Sequence, residues 1–132
     1  ELYIKWAMDK SAEGLYEEAF GLLKNAAQYN TINPEIYYNN AYNHYQLRHY
    51  SETVENINKA LEYDKEGIYH TKYLLLVADA YHQLGSFFEE KKALSDLLRI
   101  DDTNPEGLYR SGMMYAAQHN IKNAEEAFKK SI

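Results

Sequence analysis

Apolar residues recur along most of the chain at intervals of three and four, the spacing that gathers side chains on one face of a helix. Leu74, Val77, Ala78 and Tyr81 form one such face. Leu108, Gly112 and Tyr115, followed by Ala124, Phe128 and Ser131, mark a helix, a turn and a second helix near the end of the chain. Asn33-Pro34-Glu35 and Asn104-Pro105-Glu106 read as helix starts. Asn can cap, Pro suits the first turn, and Glu complements the helix dipole. Gly14 and Gly85 stand where first helices should end and suit a left-handed cap. These signals predict eight helices, near 2–13, 17–29, 34–47, 51–63, 71–84, 88–100, 105–118 and 121–132.

The helices come in pairs that repeat. A turn entering a second helix appears as Gly14-Leu15-Tyr16-Glu17-Glu18-Ala19. It returns as Arg48-His49-Tyr50-Ser51-Glu52-Thr53, as Gly85-Ser86-Phe87-Phe88-Glu89-Glu90 and as His119-Asn120-Ile121-Lys122-Asn123-Ala124. Successive copies are 34, 37 and 34 residues apart. The three extra residues fall within Lys65 to His70, which is therefore the expected irregularity.

This pattern resembles the tetratricopeptide repeat (TPR) family, whose hairpin repeats every 34 residues with large and small residues at set places. The resemblance rests on Tyr3, Trp6, Ala7, Gly14, Tyr16, Ala19, Leu23 and Ala26 in the first repeat, and on Tyr37, Ala41, Tyr50, Ile57 and Ala60 in the second. The third supplies Leu74, Val77, Ala78, Tyr81, Gly85, Phe87, Leu94 and Leu97, and the last Leu108, Gly112, Tyr115, Ala124, Phe128 and Ser131. It implies an all-α fold: a right-handed superhelix, or α-solenoid, of four helix-turn-helix hairpins. The repeats would span about 1–33, 34–70, 71–104 and 105–132, a single array. Small residues at Ala41, Ala78 and Gly112 would let paired helices approach. Departures are Lys10, Asn40, His44, Thr53 and Glu90, which stand where the family places apolar, aromatic or small residues.

Composition narrows the function. The formal net charge is −6 without a basic run, so nucleic-acid binding has no electrostatic footprint. No apolar stretch approaches the roughly 18 residues of a membrane span. There is no cysteine, which excludes disulfides, thiol catalysis and thiolate metal sites. Histidines at 44, 49, 70, 82 and 119 form no His-x-x-x-His pair, and neither a phosphate loop nor a nucleophile elbow occurs. The expectation is a protein with no enzymatic activity, cofactor or metal.

The resemblance implies instead a protein or peptide partner held in a concave groove lined by first helices. Groove positions would be Ile4 and Met8; Tyr38, Asn39, Tyr42 and Tyr45; Lys72, Leu75, Asp79 and His82; and Tyr109, Arg110 and Met113. Tyrosine, present in 14 copies, suits recognition because it combines area with a polar tip. Some family members grip acidic chaperone tails with a Lys/Asn/Arg clamp. Asn39, Lys72 and Arg110 match isolated places of it, but Leu76 and Glu106 interrupt it, so tail binding is not expected. Repeat arrays need polar caps at their ends. Ala124, Phe128 and Ile132 share a face with nothing after them in the sequence, which suggests a piece of a longer array, a regulatory domain of a longer protein, or a face for homo-oligomer assembly.

Overall fold

The computed structural model describes residues 2–30, 32–117 and 120–132. Among these the secondary structure is helical: α1 (Leu2–Ala12), α2 (Tyr16–Tyr29), α3 (Pro34–Gln46), α4 (Tyr50–Tyr63), α5 (His70–Leu84), α6 (Phe87–Ile100), α7 (Pro105–Ala117) and α8 (Ile121–Ser131). Each expected helix is present, within a few residues of its expected ends.

Local chemistry accounts for the ends. The Asn33 side chain accepts a hydrogen bond from the Glu35 amide at 3.0 Å, and Asn104 accepts one from the Gly107 amide at 2.9 Å. Each first helix closes with a bond from an amide to the carbonyl five residues back, which satisfies an orphan carbonyl at the helix end. These bonds run from Leu15 to Lys10 (2.9 Å), His49 to His44 (2.8 Å), Ser86 to Tyr81 (2.9 Å) and Asn120 to Tyr115 (2.8 Å). The residue at the bend takes positive φ, +79° at Gly14 and +72° at Gly85. The second hairpin places Arg48 there at φ 63°. The matching position of the last hairpin, His119, lies outside the described residues.

A side chain in the left-handed region is strained by contact of its Cβ with the backbone. Arg48→Gly is therefore expected to stabilise the protein by about 1 kcal/mol, with a rise in melting temperature of about 4 °C. An unchanged or lowered melting temperature by circular dichroism would show that the Arg48 side chain makes compensating contacts.

The inserted segment before α5 has its own organiser. Asp64 is buried. Its carboxylate accepts the Tyr69 amide at 2.9 Å and lies 3.0 Å from His70 Nδ1. One carboxylate thus serves here in place of the Asn-Pro-Glu start.

The chain divides into two compact units, Glu1–Tyr73 and Leu74–Ile132. In the first, α1 packs on α2 and α3, and α3 on α4. Its core gathers Ile4, Ala7, Ala19, Leu23, Ala26 and Ile36. Ile4 is thus a core residue, contrary to the groove expectation, and Trp6 is half-exposed although its place in the pattern suggested packing. The reason is rotation of α1. Ile4, Ala7 and Ser11 form its inward stripe, and Ser11 reaches the buried Asn43 side chain of α3 at 2.6 Å. Trp6, one residue before Ala7, is turned about 100° away.

In the second unit α6 packs on α7 and α7 on α8. Val77, Ala78, Ala80, Leu94 and Leu97 are buried, as are Leu108, Met114, Ala124 and Ala127. Helices approach closely at two glycines. A Cβ at Gly107 would lie 2.5 Å from a Leu97 methyl, and one at Gly112 would lie 2.6 Å from the Phe128 ring. The residues expected at an assembly face differ in exposure. Ala124 is buried, and Phe128 covers Gly112, so both are turned toward α7 of their own hairpin. Of the three residues only Ile132 is exposed.

The departures from the repeat pattern are accommodated by new partners. Thr53 is buried and its hydroxyl donates to the His49 carbonyl at 2.8 Å. Glu90 is buried beside His82 Nδ1 at 3.1 Å. Lys10 pairs with Glu18 at 3.2 Å.

Candidate functional site

The first unit carries an aromatic face built from α3 and the start of α5. Tyr38 stacks on Tyr73, with centroids 5.2 Å apart, and Tyr69 lies 6.1 Å from Tyr73. The Lys72 ammonium sits 4.2 Å from the Tyr38 centroid, 5.1 Å from Tyr69 and 5.9 Å from Tyr73. Each ring offers its negative face to the cation. Tyr73 is fully buried and its hydroxyl has no hydrogen-bond partner among the described residues. Burial, reinforced by the charges of Asp64 and Glu35, pushes its pKa above the usual phenol range. Burial also raises Tyr38, with a smaller effect of Tyr42. Tyr42, one turn beyond Tyr38 on α3, is 41% exposed and open to solvent.

Two other expected groove residues have local duties. Asn39 donates back to the Glu35 carbonyl at 2.8 Å. Tyr45 meets Tyr50 edge-on at 5.5 Å and so packs within its own hairpin. Tyr69 was not among the expected positions because it lies in the inserted segment, where repeat spacing gives no register.

The second unit holds the remaining positions. Arg110 pairs with Asp79, and its Nε lies 2.8 Å from Glu106. A ligand carboxylate reaching Arg110 would therefore meet a guanidinium already neutralised from two sides. Tyr109 and Met113 are about half-exposed, and the Tyr109 ring lies 5.7 Å from Phe128. His82 is turned toward Glu90.

A third cluster was not legible in helical spacing. His44 lies in the last turn of α3, His49 immediately precedes α4, and Glu52 lies in the first turn of α4. The two Nδ1 atoms are 3.3 Å apart, and His49 Nδ1 is 3.9 Å from Glu52 Oε2. Phe20 covers the His44 ring at 4.6 Å. Burial lowers the His44 pKa, as does His49, against the charges of Glu52, Glu17 and Glu55. The two imidazoles are five apart, and the hairpin turn brings them together.

No family model matches the sequence, and neither does any curated protein. Solved structures do. MamA superposes with a TM-score of 0.88 at 16% identity, over 98% of this chain and 74% of that one. YrrB, described as a TPR protein with an unusual peptide-binding site, gives 0.83 at 18% identity, over 98% of this chain and 65% of that one. TTC0263, a thermophilic TPR protein of Thermus thermophilus, gives 0.75 at 19% identity, over 98% of this chain and 71% of that one.

This is the tetratricopeptide-repeat fold. At 16–19% identity the likeness is one of fold. No helix among the described residues is long and apolar enough to cross a membrane.

Proposed function

We propose that this TPR protein is a noncatalytic interaction scaffold that docks an extended peptide or a helix against its first helices. The observation that carries this reading is the Tyr38–Tyr69–Tyr73 cluster around Lys72, with Tyr42 open beside it. The Tyr38, Tyr42 and Tyr69 rings are rigid and reach the surface above the buried Tyr73, so they give contact area at little cost in conformational entropy. The ammonium supplies hydrogen bonds to a carbonyl or carboxylate, and the apolar side chains of a peptide would lie on the rings. Asp79, His82, Tyr109, Arg110 and Met113 form a secondary set within the second unit. There Tyr109 and Met113 supply apolar area, while Asp79 and Arg110 offer polar contacts after exchanging part of their internal pairing.

The test is a displayed random-peptide selection on the native protein beside a Tyr42→Ala/Lys72→Ala variant whose helicity is first confirmed. Both side chains are exposed, so the variant should fold. Peptides enriched on the native protein should bind the variant at least about thirtyfold more weakly, as expected for loss of hot-spot side chains. No enrichment, or enrichment indifferent to the double substitution, would overturn the assignment of this face.

A further inference from the structure

We infer that His44, His49 and Glu52 form a site for a divalent transition-metal ion of the zinc class, with the fourth position left to water. The donor set is the first argument. Two imidazoles and one carboxylate are the ligand types of three-coordinate protein zinc sites that keep an open position. Their ligand atoms lie within 4.8 Å of one another.

Geometry is the second argument. With metal–nitrogen bonds of about 2.0–2.1 Å, the edge of a tetrahedron between two nitrogens is about 3.3–3.4 Å. His44 Nδ1 and His49 Nδ1 are 3.3 Å apart, at the long end for a hydrogen bond between rings and at that edge length. The His49–Glu52 distance of 3.9 Å is longer, but both side chains are about half-exposed. Binding an ion would require the Glu52 carboxylate to rotate toward the two rings.

Access and the backbone agree. The site is open to an arriving ion, because the His49 and Glu52 side chains are about half-exposed. The amide of His49 is bonded to the carbonyl of His44 at 2.8 Å, which holds the two residues together before any ion arrives. The other hairpins have the same bond with different residues: Lys10 and Leu15, Tyr81 and Ser86, Tyr115 and Asn120. The donor pair is thus peculiar to the second repeat. Imidazole also suits nickel and copper, so zinc represents a class here.

The experiment titrates the tag-free chain with Zn2+ against a chromogenic chelator and follows the histidine ring resonances by NMR. One equivalent should bind, shifting His44 and His49 but not His70 or His82. His49→Ala should weaken binding by at least about tenfold, since even outer-shell changes cost that much. His49 makes no side-chain capping bond, so this variant should melt like the native chain without metal. Glu52→Gln should weaken binding by a smaller factor. Absence of binding, shifts confined to His70 or His82, or affinity unchanged in His49→Ala would overturn the site.

Discussion

Gly112→Val is expected to destabilise the protein by about 3 kcal/mol, the upper end of the usual cost of overpacking. A Cβ built at Gly112 meets two Phe128 ring carbons at 2.6 Å and a third at 2.9 Å. Valine adds two further methyl groups on a stiff branch. The ring cannot withdraw easily, because Tyr109 lies beside it at 5.7 Å. The check is a urea titration in which the midpoint falls while the slope is unchanged. A double-mutant cycle isolates the cause. With Phe128→Ala in place, Gly112→Ala should become favourable, by up to about 1 kcal/mol, because alanine is the better helix former. A penalty at Gly112 that persists without the ring would show that α7 and α8 touch elsewhere.

The second large effect comes as a pair of opposite signs. His82→Ala should cost about 2 kcal/mol, because it leaves the Glu90 carboxylate buried without its imidazole partner. Glu90→Ala removes the buried charge itself and restores the small residue that the repeat pattern prefers. It should be neutral or stabilising, because no carboxylate is then held out of water and the half-exposed imidazole left behind can be hydrated. His82 is half-exposed, so water limits the loss in the first variant. Melting curves of the two variants decide the matter. Equal destabilisation by both would mean that Glu90 contributes to folding in its own right.

The parts of the fold written in local chemistry were readable from sequence. Asn33, Asn104, Gly14 and Gly85 each act on their own helix end, so eight helices emerged close to their observed limits. The spacing of Gly112 and Phe128 also announced a close approach of helices. What failed was rotation and partnership. Repeat register placed Ile4 in the groove, whereas the pairing of Ser11 with Asn43 belongs to an α1 rotated to bury it. Phe128 and Ala124 were expected on an open face because the sequence suggested no cover; Ala124 is buried, while Phe128 lies over Gly112 and stays partly exposed. Of the candidate groove, Tyr38, Tyr42 and Lys72 fall together in the first unit. Tyr45, Arg110 and His82 found partners nearby. Asp64 and Tyr69 lie at a three-residue insertion, where periodic reasoning has no purchase.

The main-chain bonds that close the four hairpins have a consequence for how such a chain can change over time. Each bend is specified by an amide and a carbonyl five residues apart, and this bond asks nothing of the side chains at its two ends. Lysine with leucine, histidine with histidine, tyrosine with serine and tyrosine with asparagine are all accepted. New chemistry can therefore enter at the bends by substitution of two residues while the packed interiors stay as they are. At those places the molecule separates innovation from foldability.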